Sequence, residues 1–319
     1  MPAVTTLSTP PLAARAHAVA NHVLPAGLRS RPTPRRVLVQ IRQALAKRLG
    51  TMAAVAAVGV LAGCATGPAV PPAPAGLSID TRHTAVGQDS RVQFLILHFT
   101  DEDFASSLRI LTQQKVSSHY LVSDETPPRI YRLVDENRRA WHAGLSSWKN
   151  SAGLNASSIG IEIVNLGPRP QVDGRQAFKP YPPAQIDQVV ALVKDIVARH
   201  QIKPEFILGH SDIAPQRKID PGPLFPWKRL ADEGLIPWPD ARLAAAMRPV
   251  YQARLPDVAW FQQSLATVGY EVPKTGELDK PTERVLAAFQ MKYRPADYSG
   301  QPDAETAALL QALTASATR

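Results

Sequence analysis

The sequence predicts an α/β (α+β) protein, with a mixed central sheet flanked by helices and a small three-helix domain after it. Three observations carry this. Residues 92–99 form a near-continuous apolar run of strand length, the mark of a central strand. Ile159, Ile161 and Ile163 alternate with Gly160, Glu162 and Val164, which is strand period with the isoleucines on one face. Residues 185–200 place Ile186, Val189, Val190, Val193, Ile196 and Val197 at helical spacing, behind Pro182 and Pro183 as a start signal. Strands interleaved with amphipathic helices imply a sheet packed by helices.

Taken in order, the chain opens with residues 1–63, read as a leader and export signal. An apolar run at 52–61 follows Lys47 and Arg48 and ends in small residues, too short to span a membrane as a stable helix. Leu61-Ala62-Gly63-Cys64 resembles a bacterial lipobox, which implies cleavage before Cys64 and acylation of that residue. Ala65 is not the aspartate that retains many such anchors in the inner membrane, so the resemblance points to the outer membrane of a Gram-negative envelope, facing the periplasm. Residues 64–76 are rich in Ala and Pro and read as an extended tether.

The main domain is expected over 77–240, with Phe206, Ile207 and Leu208 as a further short buried strand. A break follows at Trp238, Pro239 and Asp240, and Ala-rich residues 241–255 read as a linker. Residues 256–316 carry three helical faces: Trp260, Phe261 and Leu265; Val285, Leu286 and Phe289; and Ala308, Leu309, Leu310 and Leu313. Such a short segment builds only a small core, so an accessory module is expected. The segment also echoes itself: Gly276-Glu277-Leu278-Asp279-Lys280-Pro281-Thr282 against Gly300-Gln301-Pro302-Asp303-Ala304-Glu305-Thr306.

The formal charge of +9 invites a nucleic-acid reading. Residues 1–64, however, hold eight Lys and Arg and no acid, leaving 28 basic against 27 acidic residues beyond them. A nucleic-acid binder keeps its basic surplus on the folded part, so no nucleic-acid partner is expected. The lone cysteine, Cys64, belongs to the anchor, and no GxSxG elbow is present, which removes cysteine and serine hydrolases.

Six histidines remain beyond the leader: His83, His98, His119, His142, His200 and His210. His98 closes the first apolar strand and His210 follows Phe206-Ile207-Leu208-Gly209, so both stand at strand ends, where side chains can converge on one cleft. Two imidazoles and one carboxylate suit a catalytic zinc with an open position. Asp212 and Asp220 are both candidates for that carboxylate, and spacing does not choose between them. His200 ends a helix, where a cation suits the dipole, and reads as structural. Glu162 is the only charge in its strand, opposite the isoleucines, and fits a general base aimed at an activated water.

Five motifs in order carry a resemblance: His98-Phe99-Thr100; Val116-Ser117-Ser118-His119-Tyr120-Leu121-Val122; Ala140-Trp141-His142-Ala143-Gly144; Ser158-Ile159-Gly160-Ile161-Glu162; and the run from Gly209 to Pro223 with Ser211-Asp212 and Lys218-Ile219-Asp220-Pro221-Gly222. The series closely resembles the type-2 N-acetylmuramoyl-L-alanine amidases, a zinc family, and within them the AmiD-like lipoprotein branch. The resemblance implies zinc ligands at His98, His210 and Asp220, a catalytic glutamate at Glu162 and a catalytic lysine at Lys218. It puts His119, His142 and Trp141 beside the cleft as lining. The implied reaction is zinc-dependent hydrolysis of the amide between N-acetylmuramic acid and L-alanine, with one Zn2+ per chain and peptidoglycan or muropeptides as substrates. A monomer is expected.

The C-terminal segment is similar to the three-helix peptidoglycan-binding modules of wall hydrolases, through Phe261-Gln262, Gly269-Tyr270, Gly276, Asp279, Thr282 and Ala288-Phe289-Gln290. It implies a module that raises local substrate concentration, and a chain ending near Asp240 that still cleaves soluble muropeptides. Two other readings are a non-catalytic peptidoglycan receptor and a zinc peptidase acting within the stem peptide. The first is disfavoured because every catalytic position is filled, and the second lacks the HExxH helix of one large peptidase class.

Overall fold

The computed structural model of the protein describes residues 76–171 and 176–317, so the stretch read as an export signal, Cys64 and most of the expected tether lie outside the described residues. Five strands form the central sheet: β1 (Phe94–Phe99), β2 (Tyr120–Val122), β3 (Ile130–Arg132), β4 (Ser158–Ile163) and β5 (Ile207–Gly209). Their order is β3-β2-β4-β1-β5. β1 runs parallel to both β4 and β5, and β2 parallel to β4, while β3 is antiparallel to β2 at the edge. The expected mixed sheet is therefore present. Its site-bearing strands, β1, β4 and β5, all run parallel, with β5 at the edge opposite β3.

Alternation decides what each face of the sheet meets. Leu95 and Leu97 of β1 and Ile159, Ile161 and Ile163 of β4 point to one face. There they pack on helix α2 (Pro183–His200), whose Ile186, Val189, Val190, Val193 and Ile196 form its buried stripe. Pro183 starts α2 where a missing N–H costs nothing, and Gln201 ends it in the left-handed region at φ 57°. Ile161 is wholly buried; truncating such a residue to alanine costs about 2–5 kcal/mol. His200 behaves as the structural residue expected, with Nε2 at 2.8 Å from Glu136 and Nδ1 at 2.8 Å from the Ser90 hydroxyl.

On the other face, Phe94 and Ile96 of β1 and Leu208 of β5 begin a second apolar cluster that does not stop at the sheet. It continues through Trp148 and Ile213 into Phe261, Leu265, Tyr270, Val285, Leu286 and Phe289 of the C-terminal helices. Sheet and module belong to one compact unit running from Thr81 to Arg319. The other helices are α1 (Phe104–Gln113), the single turn α3 (His210–Ile213), α4 (Trp227–Asp232), α5 (Ala241–Ala253), α6 (Val258–Val268), α7 (Lys280–Tyr293) and α8 (Ala304–Ala317). The stretch read as a linker is α5: the Asp240 carboxylate caps it by accepting the Leu243 N–H at 2.8 Å. It buries no residue fully, which is why no apolar stripe announced it.

The internal echo has a structural cause. Gln262 on α6 accepts the Gly276 N–H and donates to the Glu277 carbonyl and the Thr282 hydroxyl. Gln290 on α7 repeats this with the Gly300 N–H, the Gln301 carbonyl and the Thr306 hydroxyl. Asp279 and Asp303 then cap the helices that follow, each at 2.8 Å from the threonine N–H three residues on. Two copies of one helix–loop–helix clamp build the module.

Candidate active site

The C-terminal ends of β1, β4 and β5 open on one cleft of about 360 Å³. Its lining includes His98, Trp141, His142, Glu162, His210, Lys218 and Asp220. Of the nine expected site residues eight are described, and seven of those meet in this cleft; His119 stands elsewhere, and Cys64 lies outside the described residues.

His98 is the next-to-last residue of β1 and His210 opens α3 directly after β5, so two neighbouring parallel strands deliver the two imidazoles. Asp220 reaches them from the loop after α3, which is tied back by the Ser211 N–H donating to the Asp220 carbonyl at 2.8 Å. His98 Nδ1 lies 3.0 Å from His210 Nδ1 and 3.0 Å from Asp220 Oδ2, and His210 Nδ1 lies 3.1 Å from the same oxygen. All three residues are at most 5% exposed.

The partners behind the imidazoles settle which nitrogens carry hydrogen. The Ser158 hydroxyl donates to the Leu154 carbonyl at 2.7 Å, so towards His142 Nε2, 3.2 Å away, its oxygen can only accept. That leaves His142 Nδ1 as an acceptor for His98 Nε2–H at 3.0 Å. His210 Nε2–H donates to the Ala143 carbonyl at 3.1 Å. Both Nδ1 atoms therefore turn bare lone pairs towards the Asp220 carboxylate. Three converging lone pairs repel one another unless a cation sits among them, and their 3.0–3.1 Å spacing is close to the roughly 3.3 Å between ligands of a tetrahedral zinc. The donor set fits a divalent metal ion, and these three residues form a buried group that could hold one.

Electrostatics agree with that fit. Burial lowers the His98 pKa to about 4, helped by His210 and opposed by Asp220, so the ring stays neutral and able to ligate. His142 is held well below the ordinary value, first by burial and then by the neighbouring imidazoles. Burial works against the Asp220 carboxylate, but a positive charge beside it, as a proton on His210 or His98 supplies when no metal is bound, outweighs burial and keeps it ionised. Glu162 lies the other way: burial, then the Asp220 charge, push it well above 4.5, with Lys218 opposing. Its Oε2 is sealed from solvent and has no hydrogen-bond partner, as expected of a group awaiting a ligand or an attacking water.

The remaining predicted residues divide. Trp141 is half exposed at the cleft, with the Arg139 guanidinium 4.0 Å from its ring centroid. His142 is a cleft residue, but its hydrogen bonds make it a brace for His98 as well. His119, expected as lining, is wholly buried and does not reach the cleft: its Nδ1 accepts the Gly160 N–H at 3.0 Å and Nε2–H donates to the Arg138 carbonyl at 3.0 Å. It pins β4 from behind. Gly160 is needed where it is, because a Cβ there would come within 2.5 Å of the His142 ring.

Sequence reasoning did not single out Ser158 or Arg217. Arg217 lines the cleft and donates to the carbonyls of Ala143 and Leu145, binding the His142 loop to the Asp220 loop. Asp212, left open as a ligand, points away from the cluster and bonds to Gly209, Tyr270 and Lys292.

Fold and site together define a cell-wall hydrolase of the amidase class. The chain belongs to the N-acetylmuramoyl-L-alanine amidase family, whose model matches residues 88–223, and a peptidoglycan-binding domain matches residues 254–310. It is 45% identical to the N-acetylmuramoyl-L-alanine amidase AmiD of Escherichia coli over 265 residues, covering 81% of this chain and 95% of that protein. The solved structure of E. coli AmiD with anhydro-N-acetylmuramic acid-L-Ala-D-gamma-Glu-L-Lys superposes with a TM-score of 0.69, at 44% identity over 76% of this chain and 95% of the other. AmpDh3 of Pseudomonas aeruginosa, solved with an anhydromuramic pentapeptide, gives a TM-score of 0.70 at 40% identity, over 76% of this chain and 99% of the other.

Proposed function

We propose that this protein is a zinc-dependent amidase that hydrolyses the bond between N-acetylmuramic acid and L-alanine in peptidoglycan or muropeptides. The observation that carries the reading is the meeting of His98 Nδ1, His210 Nδ1 and Asp220 Oδ2 beside the unpartnered carboxylate of Glu162. The relatives solved with anhydromuramyl peptides support muropeptides as the substrate class.

His98, His210 and Asp220 would hold the ion. Zinc bound there would supply Lewis acidity, polarising the scissile carbonyl and lowering the pKa of a water towards about 7. Glu162 takes the proton from the attacking water as the lactyl carbonyl becomes tetrahedral. Its raised pKa makes it a better base than a solvent-exposed carboxylate. The same carboxyl then gives the proton to the departing amine of L-alanine, so the C–N bond breaks without expelling an amide anion. Lys218, lining the cleft, faces the developing oxyanion; one such donor contributes about 3–4 kcal/mol. Trp141 offers an apolar wall for the sugar or the lactyl group.

The division into a leader, a tether at 64–76, an amidase domain at 77–240 and a peptidoglycan-binding segment at 256–316 belongs to the same proposal. So does anchoring through an acylated Cys64 to the outer membrane, facing the periplasm. The resemblance of Leu61-Ala62-Gly63-Cys64 to a lipobox supports it.

The deciding experiment incubates the chain lacking residues 1–64 with purified peptidoglycan and with muropeptides, and reads products by mass spectrometry. Release of peptides beginning at L-alanine, lost with chelator and restored by zinc, is the expected result. Products that keep L-alanine on the sugar would make the protein a peptidase. No cleavage of either substrate at full zinc occupancy would make it a receptor.

A further inference from the structure

Asp212 lies two residues past His210 on α3 and is 1% exposed, yet it takes no part in the metal-ligand cluster. Three donors hold its carboxylate. Oδ2 accepts the Gly209 N–H at 2.8 Å and the Lys292 ammonium at 2.7 Å, and Oδ1 accepts the Tyr270 hydroxyl at 2.6 Å. Gly209 is the residue that leads from β5 into His210. Tyr270 and Lys292 come from the C-terminal module, 58 and 80 residues away along the chain. Lys292 is itself buried, with its ammonium 4.2 Å from the centroid of the Trp227 ring.

Apolar contacts already join module and sheet, and an apolar pair in place of this ion pair would hold them at least as well. What the ion pair and the tyrosine add is direction. They fix a carboxylate that also accepts a backbone N–H of the turn that carries His210. That turn is bonded in its next residue to Asp220, through the Ser211 N–H and the Asp220 carbonyl at 2.8 Å. A shift at Asp212 therefore reaches two of the three donors.

We propose that Lys292 and Tyr270 are positioning residues of the metal centre, acting through Asp212 to set where His210 and Asp220 meet His98. The C-terminal module is then a working part of the amidase site as well as a wall-binding attachment. This rests on the reading of the three donors as zinc ligands. It also revises the expectation that a chain ending near Asp240 keeps its activity on soluble muropeptides, since such a chain would leave the buried Asp212 without two of its partners.

The test measures zinc affinity of the chain from residue 65 to residue 319 by competition with a chromophoric chelator, alongside thermal melting of the metal-free protein. Lys292→Met removes the ammonium and keeps the stem; Tyr270→Phe removes one hydroxyl and keeps the ring packing. Leu310→Ala opens the module core without touching Asp212 and serves as the stability control. Loss of a supporting partner of a metal site costs on the order of 10-fold in affinity. Lys292→Met is expected to show such a loss, Tyr270→Phe a smaller loss in the same direction, and Leu310→Ala a lower melting temperature at unchanged affinity. Combining Lys292→Met with Asp212→Asn, which removes the stranded charge, should recover part of the loss. Parent-like affinity in both Lys292→Met and Tyr270→Phe would overturn the proposal, as would an equal loss in Leu310→Ala. If Lys292→Met does not fold, Tyr270→Phe against Leu310→Ala decides. A parent that takes up no zinc would sink the metal reading and this inference together, whereas a zinc-binding parent with unaffected variants sinks only the inference.

Discussion

His98 and Glu162 are register partners on the parallel strands β1 and β4, so their side chains leave the sheet side by side on one face. One strand pairing thus sets a metal ligand next to the proposed base. Because Glu162 is not among the three converging donors, Glu162→Gln should keep zinc and lose turnover by about 10²–10⁴-fold, the usual contribution of a general acid–base group. Product formation under saturating zinc, with bound metal measured on the same sample, checks it. Near-parental turnover would remove Glu162 from the mechanism.

The same carboxyl burdens the metal-free fold. Its pKa is raised above 4.5 by burial and by Asp220. A group raised in this way is neutral and harmless at low pH, and its destabilising effect grows as pH rises from the unfolded value through the folded one. Metal-free Glu162→Gln should therefore melt higher than the parent at pH 7–8, and the gap should close below about pH 4.5. Paired melts of the two apo proteins across that range give the answer. A gap that persists at pH 4 would mean that packing, not charge, explains it.

Lys218 carries two separable effects. Its charge opposes the upward push on Glu162 as well as facing the oxyanion. Lys218→Met should lower kcat by about 10²–10³-fold, the loss expected for one oxyanion donor. The acid limb of its pH–rate profile should also move to higher pH, because Glu162 loses the cation that holds its pKa down. A fall in kcat with an unmoved limb would leave only the oxyanion role.

What could be read without the structure follows from where the information sits. β1, β4 and α2 announce themselves because an apolar run, an alternation and a helical stripe each extend over six or more residues. β2 and β3 are three residues each, too short for any period, and they exist because neighbouring strands pair with them. Asp212 and Asp220 have similar local surroundings in sequence. What separates them is Lys292 and Tyr270, far downstream, and no local spacing encodes that. His119 and His142 likewise look alike in their motifs, yet the backbone of Gly160 lies between their roles: its N–H holds His119, and its missing side chain admits His142.

Gly160→Ala is accordingly a sharp test of the His142 brace. The added methyl would sit 2.5 Å from the His142 ring, with the backbone of β4 unable to retreat because it is paired on both sides. The ring must turn, which breaks its link to His98 Nε2 or to Ser158. Loss of such support costs about 10–100-fold in metal affinity. Ser158→Ala should give a smaller loss of the same kind, since it removes the acceptor that orients His142 and leaves the ring in place. Chelator competition on both variants ranks them, and an unaffected Gly160→Ala would show that His142 does not support the metal site.

Far from the cleft, Glu136 ties the end of α2 to the sheet. It accepts from the Tyr120 hydroxyl at 2.6 Å, from Arg199 and from His200 at 2.8 Å. Burial alone would raise its pKa, but Arg199, His200 and Tyr120 outweigh that and bring it down to about 2. For an acid depressed in the folded state, the stabilisation is complete above the unfolded pKa near 4.5 and disappears as pH falls through the folded one. Glu136→Gln should cost about 0.5–3 kcal/mol at pH 7, within the ordinary range for breaking a partly buried network. That difference should shrink from pH 4.5 downwards and be nearly gone at pH 2. Denaturant melts of parent and variant at matched pH measure it directly. A difference that stays constant down to pH 2 would show that shape, rather than the charge of Glu136, fastens α2 to β2.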